Sequence, residues 1–248
     1  MPEDGRFIRS APKLAVVRGL VPAAGRGTRL RPLTDDRPKA LVEVGGRPLL
    51  EHVLEALAPH VEGFVVVVGY RGEQIRDAFG DAYDGRPIDY VEQPEPRGLA
   101  DAVGRAEPLL EGSFLQLNGD NVLRGNVDEV LDRHRERGAD ATLLVETVSE
   151  SRARRGGVVE LTDGAVTDLV EKPDDPPSRL ATTGCFVLSP RVFEGCRAID
   201  PSPRGEYELT DAVRWLLEHG GTVETVRLDG WRVNVNTPED VDRAAARL

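Results

Sequence analysis

The sequence predicts an α/β protein built on a doubly wound, mostly parallel sheet, and three observations carry that prediction. Strand-like and helix-like segments alternate through the first 150 residues, the order that βαβ units produce. Phe64-Val65-Val66-Val67-Val68 and Phe114-Leu115-Gln116-Leu117 read as strands covered on both faces, because no alternate position is reserved for water. Each sharp cluster of Gly and charged residues follows a strand, where ligands bind in open α/β sheets.

In chain order, Met1 to Val17 is polar, contains Pro and has no clear period, which predicts a flexible extension over residues 1–17. Gly19 to Ala23 is the first strand and runs into the turn Ala24-Gly25-Arg26-Gly27-Thr28-Arg29. Leu49, Leu50, Val53, Leu54 and Leu57 share one face of a helix over 48–57. Strand 64–68 stops at Gly69, Glu73 to Phe79 is helical, and Ile88 to Val91 is a short strand. Helix 98–106, strand 114–117, helix 127–135 and strand 141–147 follow. After residue 150, short strands at 158–161, 165–170 and 183–188 are divided by Asp-Gly and Pro-rich turns. Helix 206–219, strand 222–227 and a helix over 238–248 capped by Thr237 close the chain. The second half is expected to complete the same sheet and to add a smaller lobe.

Composition narrows the function. The chain carries 32 Lys+Arg against 43 Asp+Glu, a net charge of −11, which opposes non-specific binding of nucleic acid. No apolar run approaches the ~20 residues of a membrane span, and no signal-peptide core follows Met1. Cys185 and Cys196 have no zinc spacing and cannot staple 248 residues. A cytoplasmic, soluble enzyme or binding domain is the expectation. Only Lys13, Lys39 and Lys172 are lysines. A halophilic surface and a high-GC genome both explain that bias, and against it Lys39 and Lys172 stand out. The four histidines are expected at the surface or at helix boundaries, and Trp215 and Trp231 in the core.

The chemistry sits in a few strings. Gly25-Arg26-Gly27-Thr28-Arg29-Leu30-Arg31-Pro32-Leu33-Thr34, then Pro38-Lys39, joins a turn whose backbone N–H groups can cradle an anion to two cationic side chains. It is neither a Walker loop, lacking Gly-Lys-Ser/Thr, nor a dinucleotide fingerprint, lacking the third glycine. Asp120 ends a buried strand within Asn118-Gly119-Asp120-Asn121, a setting that suits Mg²⁺ with substrate phosphates.

From Arg18 onward the chain resembles the sugar-1-phosphate nucleotidyltransferases, through Gly-x-Gly-Thr-Arg-Leu-x-Pro-Leu-Thr and the later Pro-Lys. The resemblance implies a Rossmann-like fold of the nucleotidyltransferase type with a smaller sugar-binding lobe. Residues 18–248 would form a single domain, with 18–150 mainly nucleotide-binding and 151–248 mainly sugar-phosphate-binding. It implies that Ala24, Gly25, Gly27, Thr28, Arg29 and Lys39 hold a triphosphate. Gln93-Pro94-Glu95-Pro96-Arg97-Gly98 resembles the base loop of the glucose-1-phosphate uridylyltransferase and thymidylyltransferase branch. There the Gln93 amide, donor and acceptor together, would pair with uracil or thymine beside the Gly98 backbone. Asp120 would bind Mg²⁺. Glu171 would meet sugar hydroxyls, Lys172 and Arg204 the sugar phosphate, and Gly157 and Thr183 would lie along the sugar wall. Arg29, Lys39 and Lys172 would be the catalytic side chains.

Two departures stand out. Asn234, in Trp231-Arg232-Val233-Asn234-Val235-Asn236-Thr237-Pro238, occupies the place of the family's second metal-binding aspartate; an amide oxygen coordinates Mg²⁺ without adding charge. Gly156-Gly157 replaces the family's Tyr-Gly and leaves more room, so the sugar stays open. The substrates expected are UTP or dTTP and a sugar 1-phosphate. The alternatives are a different nucleotide or sugar phosphate, or a non-catalytic sensor of nucleotide sugars. Without an appended solenoid, any homo-oligomer must form through the sheet domain.

Overall fold

In the computed structural model, β1 (Arg18–Pro22), β2 (Glu43–Val44), β3 (Arg47–Pro48), α1 (Leu49–Leu57), β4 (Gly63–Val68), α2 (Gly72–Phe79), β5 (Ala82–Tyr83), β6 (Arg86–Glu92) and α3 (Leu99–Arg105) open the chain. They are followed by β7 (Phe114–Leu117), β8 (Asn121–Gly125), α4 (Val127–Arg137), β9 (Ala141–Thr147), α5 (Glu150–Ala153), β10 (Gly157–Thr162), β11 (Ala165–Glu171) and β12 (Leu180–Leu188). The last elements are α6 (Val192–Ala198), α7 (Leu209–Glu218), β13 (Val223–Arg227), β14 (Gly230–Asn234) and α8 (Pro238–Ala245). The structure describes residues 17–248, so the extension expected over 1–17 falls outside the described residues except at Val17. Val17 is buried, and its carbonyl accepts the Glu62 amide at 3.1 Å.

A ten-stranded sheet runs β11-β10-β12-β7-β1-β4-β6-β5, with β9 and β13 joined beside β12. Its centre, β7-β1-β4-β6, is parallel, and so is the β9–β13 pair. β12 runs antiparallel to β7 and β9 and hands the sheet over to the β10–β11 hairpin. Side chains alternate between two cores, as the strand period requires. Val66, Val68, Leu115 and Leu117 face α1, α2 and α4, meeting Leu50, Val53, Ile75 and Val130. Leu20, Val65, Val67 and Phe114 face α3, α6 and α7, meeting Val103, Phe193, Val213 and Leu216. Both faces are therefore covered, and each fully buried Val or Phe contributes roughly 1.5–3 kcal/mol. Among the described residues no helix is long and apolar enough to cross a membrane.

Several elements differ from the sequence prediction. The antiparallel ribbon β8–β14, Asn121 opposite Asn234, is not among the elements predicted from the sequence; it covers a third core of Leu30, Val44, Val122 and Val235. Helix α7 starts at Leu209 rather than 206, because Tyr207 is held extended: its amide donates to the Arg97 carbonyl at 2.8 Å and its carbonyl accepts the Ala100 amide at 2.9 Å. His52 and His134 are buried, not at the surface. His52 bonds the Val44 carbonyl at 2.8 Å, and His134 bridges Ser113 and Thr142. Both tryptophans are only half-buried at core rims.

Candidate active site

The four central parallel strands end on one edge, and the turns after β1, β6 and β7 meet there in a cleft of about 320 Å³. Pro22 to Gly25 from β1, Gln93, Pro96 and Gly98 after β6, and Asn118 to Asp120 after β7 line it, with Lys39 and Glu206 at its rim. Ala24, Gly25, Lys39, Gln93, Gly98 and Asp120, singled out from the sequence, thus share one cavity. Gly27 opens the 3-10 turn Thr28–Leu30, and its carbonyl accepts the Thr34 hydroxyl at 2.9 Å.

Asn236, to which the sequence alone assigns no role, draws the charged groups together. Its Oδ1 accepts from Arg29 Nη2 and from Lys39 Nζ, both at 2.9 Å, while its Nδ2 donates to Asn234 Oδ1. Lys39 Nζ also reaches Asp120 Oδ2 at 2.9 Å. The loop carrying Asn236 is fastened at both ends. The Val235 amide donates to the Asp120 carbonyl at 2.8 Å, and the Asp240 carboxylate accepts the Asn236 and Thr237 amides at 2.9 Å, capping α8. Arg29, Lys39, Asp120 and Asn234 are thereby gathered from four separate segments.

Asp120 Oδ1 is buried with no hydrogen-bond partner among the described residues. A buried carboxylate oxygen left unpaired is costly, and a cation relieves it. The donor set of one carboxylate and the amide oxygen of Asn234 is hard and oxygen-only, which fits Mg²⁺ completed by phosphates and water. Among the described residues no cluster of three or more His, Cys, Asp or Glu competes for a metal.

Gly98 lines the cleft beside Gln93. Its φ of +109° lies in glycine territory, and a Cβ there would stand 2.4 Å from the Tyr207 carbonyl oxygen. The Gly98 carbonyl accepts from Gln93 Nε2 at 3.0 Å, and the same Nε2 donates to Asp101 Oδ2 at 2.8 Å. Burial pushes the Asp101 carboxyl up, but hydrogen bonds from Arg105 and Gln93 more than reverse this and hold its pKa below the usual value.

A second group lies around Gly157. A Cβ on Gly157 would fall 2.6 Å from Thr210 Cγ2 and 3.1 Å from both Glu171 Oε2 and Thr182 Oγ1, so only glycine fits between them. The Thr210 hydroxyl donates to Glu171 Oε2 at 3.2 Å. Burial raises the Glu171 pKa; Lys172 opposes the rise and Glu208 reinforces it. Lys172 Nζ is 3.5 Å from Glu171 Oε1 and remains accessible. Arg204 Nη2 pairs with the buried Glu208 at 2.7 Å. Thr183 departs from its expected place on the sugar wall: its hydroxyl points into the sheet and donates to the Leu144 carbonyl at 2.9 Å. The neighbouring Thr182 hydroxyl faces Gly157 instead. Adjacent strand residues point to opposite faces, so Thr182 and Thr183 cannot both meet Gly157.

Arg232, also unassigned from sequence, joins the two groups. It is nearly buried and donates to Glu146 Oε1 at 2.7 Å, Asn121 Oδ1 at 3.3 Å and the Thr182 carbonyl at 3.3 Å. It braces the strand beside Asp120 against the strand carrying Thr182.

Comparison with known proteins agrees with this geometry. Residues 18–240 match the nucleotidyl transferase family. The UTP–glucose-1-phosphate uridylyltransferase AglF of Haloferax volcanii is 44% identical over 234 residues, covering 94% of this chain and 96% of that protein. The glucose-1-phosphate thymidylyltransferase of Streptomyces griseus is 40% identical over 87% of this chain, which spans 61% of that longer relative. A putative glucose-1-phosphate thymidylyltransferase from Bacillus anthracis, in complex with a sucrose, superimposes with a TM-score of 0.85 at 26% identity, covering 94% of this chain and 95% of that one. A UDP-glucose pyrophosphorylase complexed with UDP-glucose, at 24% identity and a TM-score of 0.83, shares the fold. With the motif string, the cleft and these matches in agreement, the chain belongs to the nucleotidyl transferase family.

Proposed function

We propose that this chain transfers a nucleotidyl group from UTP or dTTP to a sugar 1-phosphate, with glucose 1-phosphate as the sugar, giving a nucleotide sugar and pyrophosphate. The observation that carries the reading is the convergence of Arg29, Lys39 and Asn234 on Asn236, with Asp120 joined through Lys39, at a cleft that Gln93 also lines.

A triphosphate on the turn Ala24 to Thr28 meets backbone N–H groups and the charges of Arg29 and Lys39. The base lies against Gly98, and its N3–H donates to the amide oxygen of Gln93. Glu171 and Thr182 receive sugar hydroxyls beside Gly157, while Lys172 and Arg204 hold the sugar phosphate. An oxygen of that phosphate attacks the α-phosphorus in line, and pyrophosphate departs from the opposite side. No general base is needed, since the nucleophile is already anionic near neutral pH. The work of the side chains is to bring two polyanions together and to balance the charge that builds on the leaving group. Asp120 and Asn234 would hold Mg²⁺, which supplies charge neutralisation on the phosphates. Residues 18–248 act here as one domain. Its first part, to about residue 150, supplies most of the nucleotide site; the second supplies the sugar wall together with Asn234 and Asn236.

The test is pyrophosphate release over a matrix of nucleoside triphosphates and sugar 1-phosphates, run with Mg²⁺ in molar salt. UTP or dTTP with glucose 1-phosphate should give the fastest release. A protein that binds nucleotide sugar yet releases no pyrophosphate with any pair would be a sensor, and the transferase reading would be wrong.

A further inference from the structure

Gln93 turns only one end of its amide to the cleft. Both Nε2 hydrogens are taken, one by the Gly98 carbonyl at 3.0 Å and one by Asp101 Oδ2 at 2.8 Å. Neither partner can donate, so neither tolerates the amide turned the other way. Asp101 is itself fixed by Arg105 Nε at 2.8 Å, one turn further along α3. Gln93 is 5% exposed and lines the cleft, and its Oε1 accepts no hydrogen bond from the described residues. An unpaired acceptor is therefore the polar atom that Gln93 presents there.

We propose that Asp101 is a positioning residue that sets base selectivity: by holding the N–H end of Gln93, it leaves an acceptor alone to meet the base. Uracil and thymine bring a hydrogen at N3 and satisfy that acceptor. Cytosine brings a lone pair at N3 and is repelled, as adenine is at N1. Guanine carries a hydrogen at N1, so the discrimination made here is against cytosine and adenine. The inference rests on the reading of this cleft as the nucleotide site.

Asp101 acts through Gln93, so a double-mutant cycle isolates it. The probes are UTP and CTP, with dissociation constants measured by calorimetry on the full chain with Mg²⁺. The wild-type protein should prefer UTP by about tenfold or more, the range that one satisfied or opposed hydrogen bond spans. Asp101→Asn places a donor as well as an acceptor beside Gln93 and lets the amide turn over, so the preference should fall about tenfold. Asp101→Ala, which removes the acceptor, should move it in the same direction. In a Gln93→Leu background, Asp101→Asn should change the preference by less than about twofold. An unchanged preference in both variants, or the same change without Gln93, overturns the inference. A wild-type protein that binds UTP and CTP equally, or neither, does so too. Pyrophosphate release measured on the same samples reports separately on the reaction: a preference that follows Asp101 without any pyrophosphate would uphold the residue's role and refute the transferase reading.

Discussion

Replacing Gly98 by alanine strikes the proposed base site and the fold together. The new Cβ would stand 2.4 Å from the Tyr207 carbonyl oxygen and 2.6 Å from its nitrogen, against backbone that cannot swing away as a side chain can. To make room, Tyr207 must give up the bonds that its amide makes to the Arg97 carbonyl and its carbonyl to the Ala100 amide, about 1 kcal/mol each. The backbone at φ +109°, ψ 176° adds strain of order 1–3 kcal/mol for any residue with a Cβ. The sum is about 3–5 kcal/mol, or a fall in Tm of about 10 °C for a chain this size. Because the Gly98 carbonyl also anchors Gln93, UTP affinity should fall even below the melting range. Thermal denaturation with calorimetric titration of UTP reads both effects. A variant that melts within about 2 °C of wild type and binds UTP equally well would refute the argument that these backbones are in enforced contact.

Three further outcomes follow from the geometry. Lys172→Ala should leave UTP affinity within about twofold while turnover falls about 100-fold, if its amine serves the sugar phosphate as proposed; equal loss of both would count against that role. Asn234→Asp adds charge beside Asp120 and should lower the Mg²⁺ concentration for half-maximal rate about tenfold; an unmoved titration would place Asn234 away from the ion. His134 is buried between Ser113 and Thr142, and burial lowers its pKa from 6.5 to about 4. Below pH 6.5 the unfolded chain takes up a proton that the native state refuses, so stability falls as pH drops from 6.5 to 4, by about 3 kcal/mol at most. Urea denaturation across that range should show the slope, and His134→Gln should flatten it.

The parts of the fold legible in the sequence are those in which one strand declares its own environment. Val65 to Val68, and the pair Phe114 and Leu115, present apolar side chains to both faces because both faces are covered, and the turns that follow these strands are rich in Gly because the cleft needs close backbone approach. The β8–β14 ribbon is different. Its strands are short, Asn121–Gly125 begins within a turn-like string, and neither has meaning without the other. The same holds for Asn236. An amide in a loop announces nothing, and its contacts to Arg29 and Lys39 span 207 and 197 residues of chain. Alternation puts Thr182 and Thr183 on opposite faces, but which of them meets Gly157 is set by the pairing of β12 with β10, which the sequence does not state. Asp101 was visible only as a helix residue; its meaning comes from Gln93 turning back onto it.

The central claim is that cationic side chains and Asp120 let two polyanions react at one point. Pyrophosphate release from UTP and glucose 1-phosphate, titrated with Mg²⁺ in wild type and in Asp120→Asn, tests it most directly. Release in wild type should depend on Mg²⁺, and Asp120→Asn should be slower by about 100-fold and require more metal. Release by Asp120→Asn at the wild-type rate and the wild-type Mg²⁺ concentration would contradict it.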